Sequence, residues 1–202
     1  MAFKPPHPRT LFHLVPTNDA ARNALSHPDN ARFVSRSPVV APGLEVGFHV
    51  PSTSQGHVVT RLGRNADLIL CQASDNEPMS AVHVAFQINP ITKFVVLSIR
   101  SKRTGSVKYR ALGGAIAKFG QAVEMNSEDG VIPPGVSHEI SIAACTFNLH
   151  WISAAIESIQ SLVQREYRAS MEQAQGLRTR DRPTQVDDSA AQTWQMTWLN
   201  PA

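Results

Sequence analysis

Three short stretches of this chain carry side chains suited to holding an anion. Gly63-Arg64 sets an arginine on a glycine, and Ser80-Ala81-Val82-His83 places a serine three residues before a histidine. Ser101-Lys102-Arg103-Thr104-Gly105-Ser106 crowds basic side chains beside a glycine that permits a turn with positive φ. An arginine at a loop tip presents a planar fork of N–H donors that matches phosphate oxygens. A serine hydroxyl supplies one donor more. From Arg100 to Arg110 there are five basic residues and no acidic one. If these loops meet, their mouth favours a dianion over water.

Loops meet only when strands bring them together, and the flanking sequence reads as strands. Leu11–Val15 is a short strand stopped by Pro16, and Thr17, Asn18 or Asp19 can cap a brief alanine-rich helix. Ser26–Pro42 holds three prolines and reads as an irregular excursion outside the core. From Gly43 the texture becomes β: "LEVGFHV", "HVVTRLG", "ADLILC", "AVHVAFQI", "KFVVLSI" and "SVKYRA" alternate with polar, glycine- or proline-bearing turns. In "AVHVAFQI" a period of two predicts one buried face, whereas "KFVVLSI" is apolar on both faces and so central. Residues 113–130 are hard to read. A second period-two run from Ile140 to Trp151 slips register at Ala143-Ala144, which predicts a bend, a bulge or two strands. Many short strands make an all-β sandwich over residues 1–152.

Past Ser153 the pattern changes. No proline or glycine occurs up to Gln175, and Ile156, Ile159, Val163, Tyr167 and Met171 recur at helical steps. The spacing predicts a helix over 153–176, capped by Ser153 and ended by Gly176, packed on the sandwich or serving a homodimer. Residues 177–202 read as a linker and flexible tail whose Trp194 and Trp198 share one helical face.

Composition narrows the classes. The 202 residues are 42% hydrophobic with a formal charge of +3, enough apolar content for a core and too little charge to indicate nucleic acid. Tyr109 is the one aromatic candidate for base stacking in the basic stretch. Cys71 and Cys145 sit far apart in apolar runs, as reduced core thiols of an intracellular protein do. No apolar run reaches the ~18 residues of a membrane helix. The histidines lack metal-ligand spacing, and no nucleophile elbow, Walker loop, dinucleotide glycine motif or zinc-protease helix occurs. Neither an enzyme nor a cofactor or metal is expected.

The order Gly63-Arg64, Asp67-Leu68-Ile69-Leu70, Ser80-Ala81-Val82-His83 and Ser101–Ser106 resembles the forkhead-associated family, eleven-stranded β-sandwiches that bind phosphothreonine peptides. "PPGVSHEISIAACTFNLHW" is similar to the family's last hairpin, so the likeness runs over residues 11–151 with 19–42 inserted. It implies a fold of about eleven strands and phosphate contacts from Arg64 and Ser80. It also implies a structural role for Gly63 and His83, and a turn at Thr104-Gly105 that holds the peptide backbone and helps choose a residue beyond the phosphothreonine. Thr104 stands where the family commonly has asparagine and Ala81 where it commonly has arginine; Lys102 and Arg103 restore positive charge to the phosphate site. The stretch "RTRDRPTQVDDS" to "TWQMTWL" resembles the connector after such modules in fungal serine/threonine kinases, implying the regulatory part of a longer kinase.

Plainer readings stand beside these. Arg64 can be a solvated surface arginine, Ser80 a loop cap, the 100–110 run a solvated face, and His83 a hydrogen-bonded structural histidine. The expected partner is a phosphothreonine protein in the cytoplasm or nucleus, with no membrane and no nucleic acid. The alternative is a scaffold acting through the 153–175 helix and the tryptophan end.

Overall fold

The computed structural model describes residues 4–36, 41–50, 57–71, 78–102, 106–112, 123–124 and 130–152, and, in the segment after that, residues 160, 161, 163–165, 168, 169 and 172. The described chain forms the strands β1 (Thr10–Pro16), β2 (Val34–Ser35), β3 (Gly43–Gly47), β4 (Val58–Gly63), β5 (Leu68–Ile69) and β6 (Val84–Ile88). They continue as β7 (Val95–Ile99), β8 (Val107–Leu112), β9 (Val123–Glu124), β10 (Gly130–Ile132), β11 (Ser137–Ile142) and β12 (Cys145–Trp151). Seven of them lie in the order β2-β3-β1-β12-β11-β8-β9 and five in the order β10-β7-β6-β4-β5. The fold is an all-β sandwich, with twelve described strands where about eleven are expected.

The core follows from side-chain alternation. In β11, His138, Ile140 and Ile142 turn inward while Ser137, Glu139 and Ser141 are less buried; in β12, Cys145, Phe147 and Leu149 turn inward. Phe12 of β1 meets Phe86 of β6 edge-on at 5.0 Å between ring centroids, tying one sheet to the other. The slip at Ala143-Ala144 is a two-residue hairpin turn between two strands, with Ala143 in the left-handed region at φ 50°. β7 is central, as expected, between β10 and β6.

Several boundaries differ from the sequence expectation. "LEVGFHV" leaves the sheet after Gly47, and "ADLILC" contributes only Leu68 and Ile69. β6 starts at Val84 and is buried at all five positions, not on one face, because it lies inside its sheet and its outward residues are small or covered.

The described part of the expected 26–42 excursion, residues 26–36, is not outside the core. Asn18 caps helix α1 (Asp19–Leu25) by accepting the Ala21 N–H at 3.0 Å, and a 3-10 helix comes next over Pro28–Phe33. Phe33, Asn30 and Ser35 are all buried. Asn30 acts as a substitute strand along β5: its Oδ1 accepts the Ile69 N–H at 2.8 Å, and its Nδ2 donates to Ile69 O at 2.8 Å and to Ala24 O at 2.7 Å. An edge strand with free backbone groups invites aggregation, and one asparagine closes this edge.

The described residues between 160 and 172 are helical, and Val163 is buried while its described neighbours 161, 164 and 165 are exposed. Ser153, Ile156, Ile159, Tyr167, Met171, the 177–202 linker and both tail tryptophans lie outside the described residues. Among the described residues no helix is long and apolar enough to cross a membrane.

Candidate functional site

Strand register brings the three sequence motifs to one end of the sandwich. Leu62 of β4 pairs with Val84 of β6, and Val84 pairs with Ile99 of β7. The residues after β4, before β6 and after β7 therefore emerge side by side. These are 64–67, 78–83 and 100–102. The chain then crosses to the other sheet at β8, where Ser106 O accepts the Ala143 N–H of the β11–β12 turn at 2.7 Å.

Backbone bonds lock these loops together. Arg64 N–H donates to Ser80 O at 3.0 Å, and Asn65 N–H donates to Ala81 O at 3.0 Å. The approach is so close that a Cβ on Gly63 would lie 2.4 Å from Ala81 O and 2.8 Å from Ser80 O. Only glycine allows it. The arginine loop is closed from within by Asp67, which accepts Arg61 N–H at 2.9 Å, Arg61 Nε at 3.1 Å and Arg61 Nη2 at 2.8 Å. That bidentate pair, first through its hydrogen bonds, raises the Arg61 pKa. Asp67 is thereby occupied by Arg61. Among the described residues Arg64 has no carboxylate partner and is exposed.

The second loop is braced by His83, which is fully buried. Its Nδ1 accepts the Ser80 N–H at 3.2 Å, so the neutral ring carries its proton on Nε2 and donates to Ser106 Oγ at 2.9 Å. Burial lowers the His83 pKa, which keeps the ring in this neutral form. Its backbone carbonyl accepts from Arg100 N–H at 2.9 Å and Ser101 N–H at 3.0 Å. One histidine thus fixes the serine loop to the basic loop on both sides. The hydroxyls meet as well: Ser80 Oγ donates to Ser101 Oγ at 3.1 Å.

Gly63, Arg64, Ser80, His83 and the start of the basic loop are therefore neighbours. Lys102 and Arg100 are exposed on that loop. Arg103, Thr104 and Gly105 lie outside the described residues. Sequence reasoning missed Ser101 and Ser106 as partners of Ser80 and His83, and Arg61 as the clamp on Asp67. Ser101 and Ser106 do flank the basic turn, a weak signal, whereas nothing in the spacing marked Arg61. Tyr109, read as an exposed aromatic, instead packs against the core and tilts over His138 at 6.1 Å between centroids. It is poorly placed to stack on a base.

The arrangement presents hydroxyls beside a guanidinium that has no carboxylate partner among the described residues, and further cations, on loops joined by backbone hydrogen bonds. Such a set can bind an anion. Among the described residues no group of three histidine, cysteine or carboxylate side chains is placed to hold a metal ion, and both cysteines are free. Comparison of the chain with family models, with curated proteins and with solved structures finds no match.

Proposed function

We propose that this chain is a phosphopeptide-binding module of the forkhead-associated kind, docking a phosphothreonine at the rim shared by Arg64, Ser80 and Ser101. The single observation that carries the reading is the pair of backbone bonds from the arginine loop to the serine loop, Arg64 N–H to Ser80 O and Asn65 N–H to Ala81 O, each 3.0 Å. They hold a guanidinium-bearing residue next to a hydroxyl donor without spending either side chain.

The chemistry follows from charge. A phosphoryl group carries about −1.5 to −2 at neutral pH and three strong acceptor oxygens. Arg64 supplies the charged fork, Ser80 and Ser101 supply hydroxyls, and Arg100 and Lys102 raise the local positive potential. An unphosphorylated threonine offers none of the acceptors this rim is built to satisfy. The preference for threonine over serine rests on the family resemblance. A partner carrying such a group is made by a protein kinase, so the module works in the cytoplasm or nucleus as an interaction domain, not a catalyst.

The test is fluorescence anisotropy with three matched peptide libraries carrying phosphothreonine, phosphoserine or threonine at a fixed position. Saturable binding of the phosphothreonine set, weaker binding of phosphoserine and none of the plain peptides is the expected result. Equal binding of all three sets overturns the proposal.

A further inference from the structure

A second polar cluster lies at the opposite end of the sandwich, where β1 begins and β3 ends. At its centre is Glu45 of β3, fully buried. Glu45 Oε2 accepts the Thr10 hydroxyl at 2.9 Å and the His7 backbone N–H at 3.4 Å, and it stands 2.6 Å from His49 Nε2. Over His49 lies the ring of His7, stacked at 4.2 Å between centroids with an interplanar angle of 18°. Phe33 meets the same His49 ring edge-on at 6.1 Å. His7 belongs to the segment 4–9, which crosses the start of β1 and is exposed apart from partly covered Pro6 and Arg9.

Backbone bonds tie that segment to its surroundings. Thr10 N–H donates to His7 O at 2.9 Å, Arg36 N–H to Lys4 O at 3.1 Å and Phe48 N–H to Arg9 O at 3.1 Å. Lys4 also donates its ammonium to Arg32 O. The imidazole stack over Glu45 anchors it as well.

We propose that residues 4–9 form a pH-operated strap, docked while the His7 ring lies neutral on His49 and released when His7 is protonated. The reason is charge balance. Around the two rings the strap brings Lys4 and Arg9, the 3-10 helix and β2 bring Arg32 and Arg36, and β1 brings His13, itself paired across the sheet with His150 of β12. Asp29 of the 3-10 helix is exposed and lies beside His27, 3.9 Å away. Among the described residues Glu45 is the carboxylate in contact with the stack, and it can neutralise one imidazolium. A second, face to face at 4.2 Å, meets a like charge.

The direction of the titrations agrees. His7 is pulled below its ordinary value by burial and next by His49, against a smaller opposing effect of Glu45. Burial first, opposed by Glu45, also lowers His13. Glu45 itself stays ionised throughout the relevant range, since its carboxyl is held at about 2. The strap therefore responds to His7 as pH falls below its ordinary value of 6.5. Release frees the His7 backbone N–H from Glu45.

The experiment is amide hydrogen exchange by NMR on the full chain at pH 7.5 and pH 5.5, corrected for the intrinsic pH dependence of exchange. Arg36 and Phe48, whose N–H groups are bonded to strap carbonyls, report docking. Leu70, bonded to Gly63 O, is the control. The expected result is a loss of protection at Arg36 and Phe48 of about tenfold or more at the lower pH, with Leu70 unchanged. His7→Phe keeps an aromatic face on His49 without a titratable group, and its protection is expected to be the same at both pH values. Unchanged protection at Arg36 and Phe48 in the wild type overturns the proposal. So does an equal loss in His7→Phe.

Discussion

Ser80 Oγ donates to Ser101 Oγ across 3.1 Å, although the residues lie on separate loops at the ends of β6 and β7. In the proposed complex the Ser80 hydroxyl, which here spends its proton on Ser101, would turn that proton toward an anion arriving beside Arg64. Ser101 thus belongs to the proposed phosphate site together with Ser80.

Ser101→Ala is expected to weaken phosphothreonine-peptide binding by about 1.5–3 kcal/mol, the usual value of a hydrogen bond to a charged group. Ser80→Ala should cost a similar amount, and the double variant less than the sum. Isothermal titration of the four proteins in a double-mutant cycle checks this. Strict additivity would mean that the two hydroxyls act on different atoms or not at all.

Gly63→Ala probes the loop junction without touching any proposed ligand contact. Its Cβ would meet Ala81 O at 2.4 Å and Ser80 O at 2.8 Å, so the arginine and serine loops must part. A loss of about 2 kcal/mol or more in urea unfolding is expected, together with weaker phosphopeptide binding. Stability within about 0.5 kcal/mol of wild type would show that the junction yields freely.

Asn30→Ala removes the partner of three backbone groups, the N–H and C=O of Ile69 and the C=O of Ala24. Unpaired polar groups at a buried position cost about 1–3 kcal/mol each, partly relieved by water at the opened edge. Destabilisation of about 3 kcal/mol is expected in denaturant titration, with increased aggregation as β5 loses its cover. Asn30→Asp separates the roles. It can still accept from Ile69 N–H but cannot donate to either carbonyl, and should remain clearly destabilised.

Glu45 makes the fold sensitive to acid. Burial pushes its carboxyl up, but contacts from His49, Ser35 and Thr10 outweigh that and hold it at about 2 against an ordinary 4.5. A depressed carboxylate stabilises the fold above its unfolded value and stops doing so as pH falls through its folded value. The contribution is therefore full above about 4.5 and lost between there and about 2, and is on the order of 3 kcal/mol. The stability gap between wild type and Glu45→Gln should narrow as pH drops from 5.5 to 2.5, as followed by urea midpoints. None of these three partners belongs to the 4–9 strap, so strap release leaves the effect in place. A gap independent of pH contradicts it.

The parts of this fold that were readable in advance are those with a period. β11 and β12 alternate cleanly, β7 is apolar apart from Ser98, and the Ala143-Ala144 slip marked the turn between two strands. The three loops that carry the sequence motifs start side by side because β4, β6 and β7 pair in register. What stayed hidden depends on single side chains meeting across the fold. Asn30 sits in a proline-bearing run without any period, yet it completes the β5 edge. His7, Glu45 and His49 are scattered over more than forty residues and become neighbours only through the β1–β3 register. Ser101 and Ser106 look like ordinary loop serines until His83 and Ser80 are placed against them.

The most direct measurement is a titration of one phosphothreonine peptide, chosen from the library, against wild type and Arg64→Ala, with circular dichroism confirming that both fold. Arg64 is exposed and has no carboxylate partner among the described residues, so its removal should leave stability unchanged. Loss of about 2–5 kcal/mol of binding free energy is the predicted result, since the dianion loses its charged partner. Equal affinity of the two proteins would contradict the account.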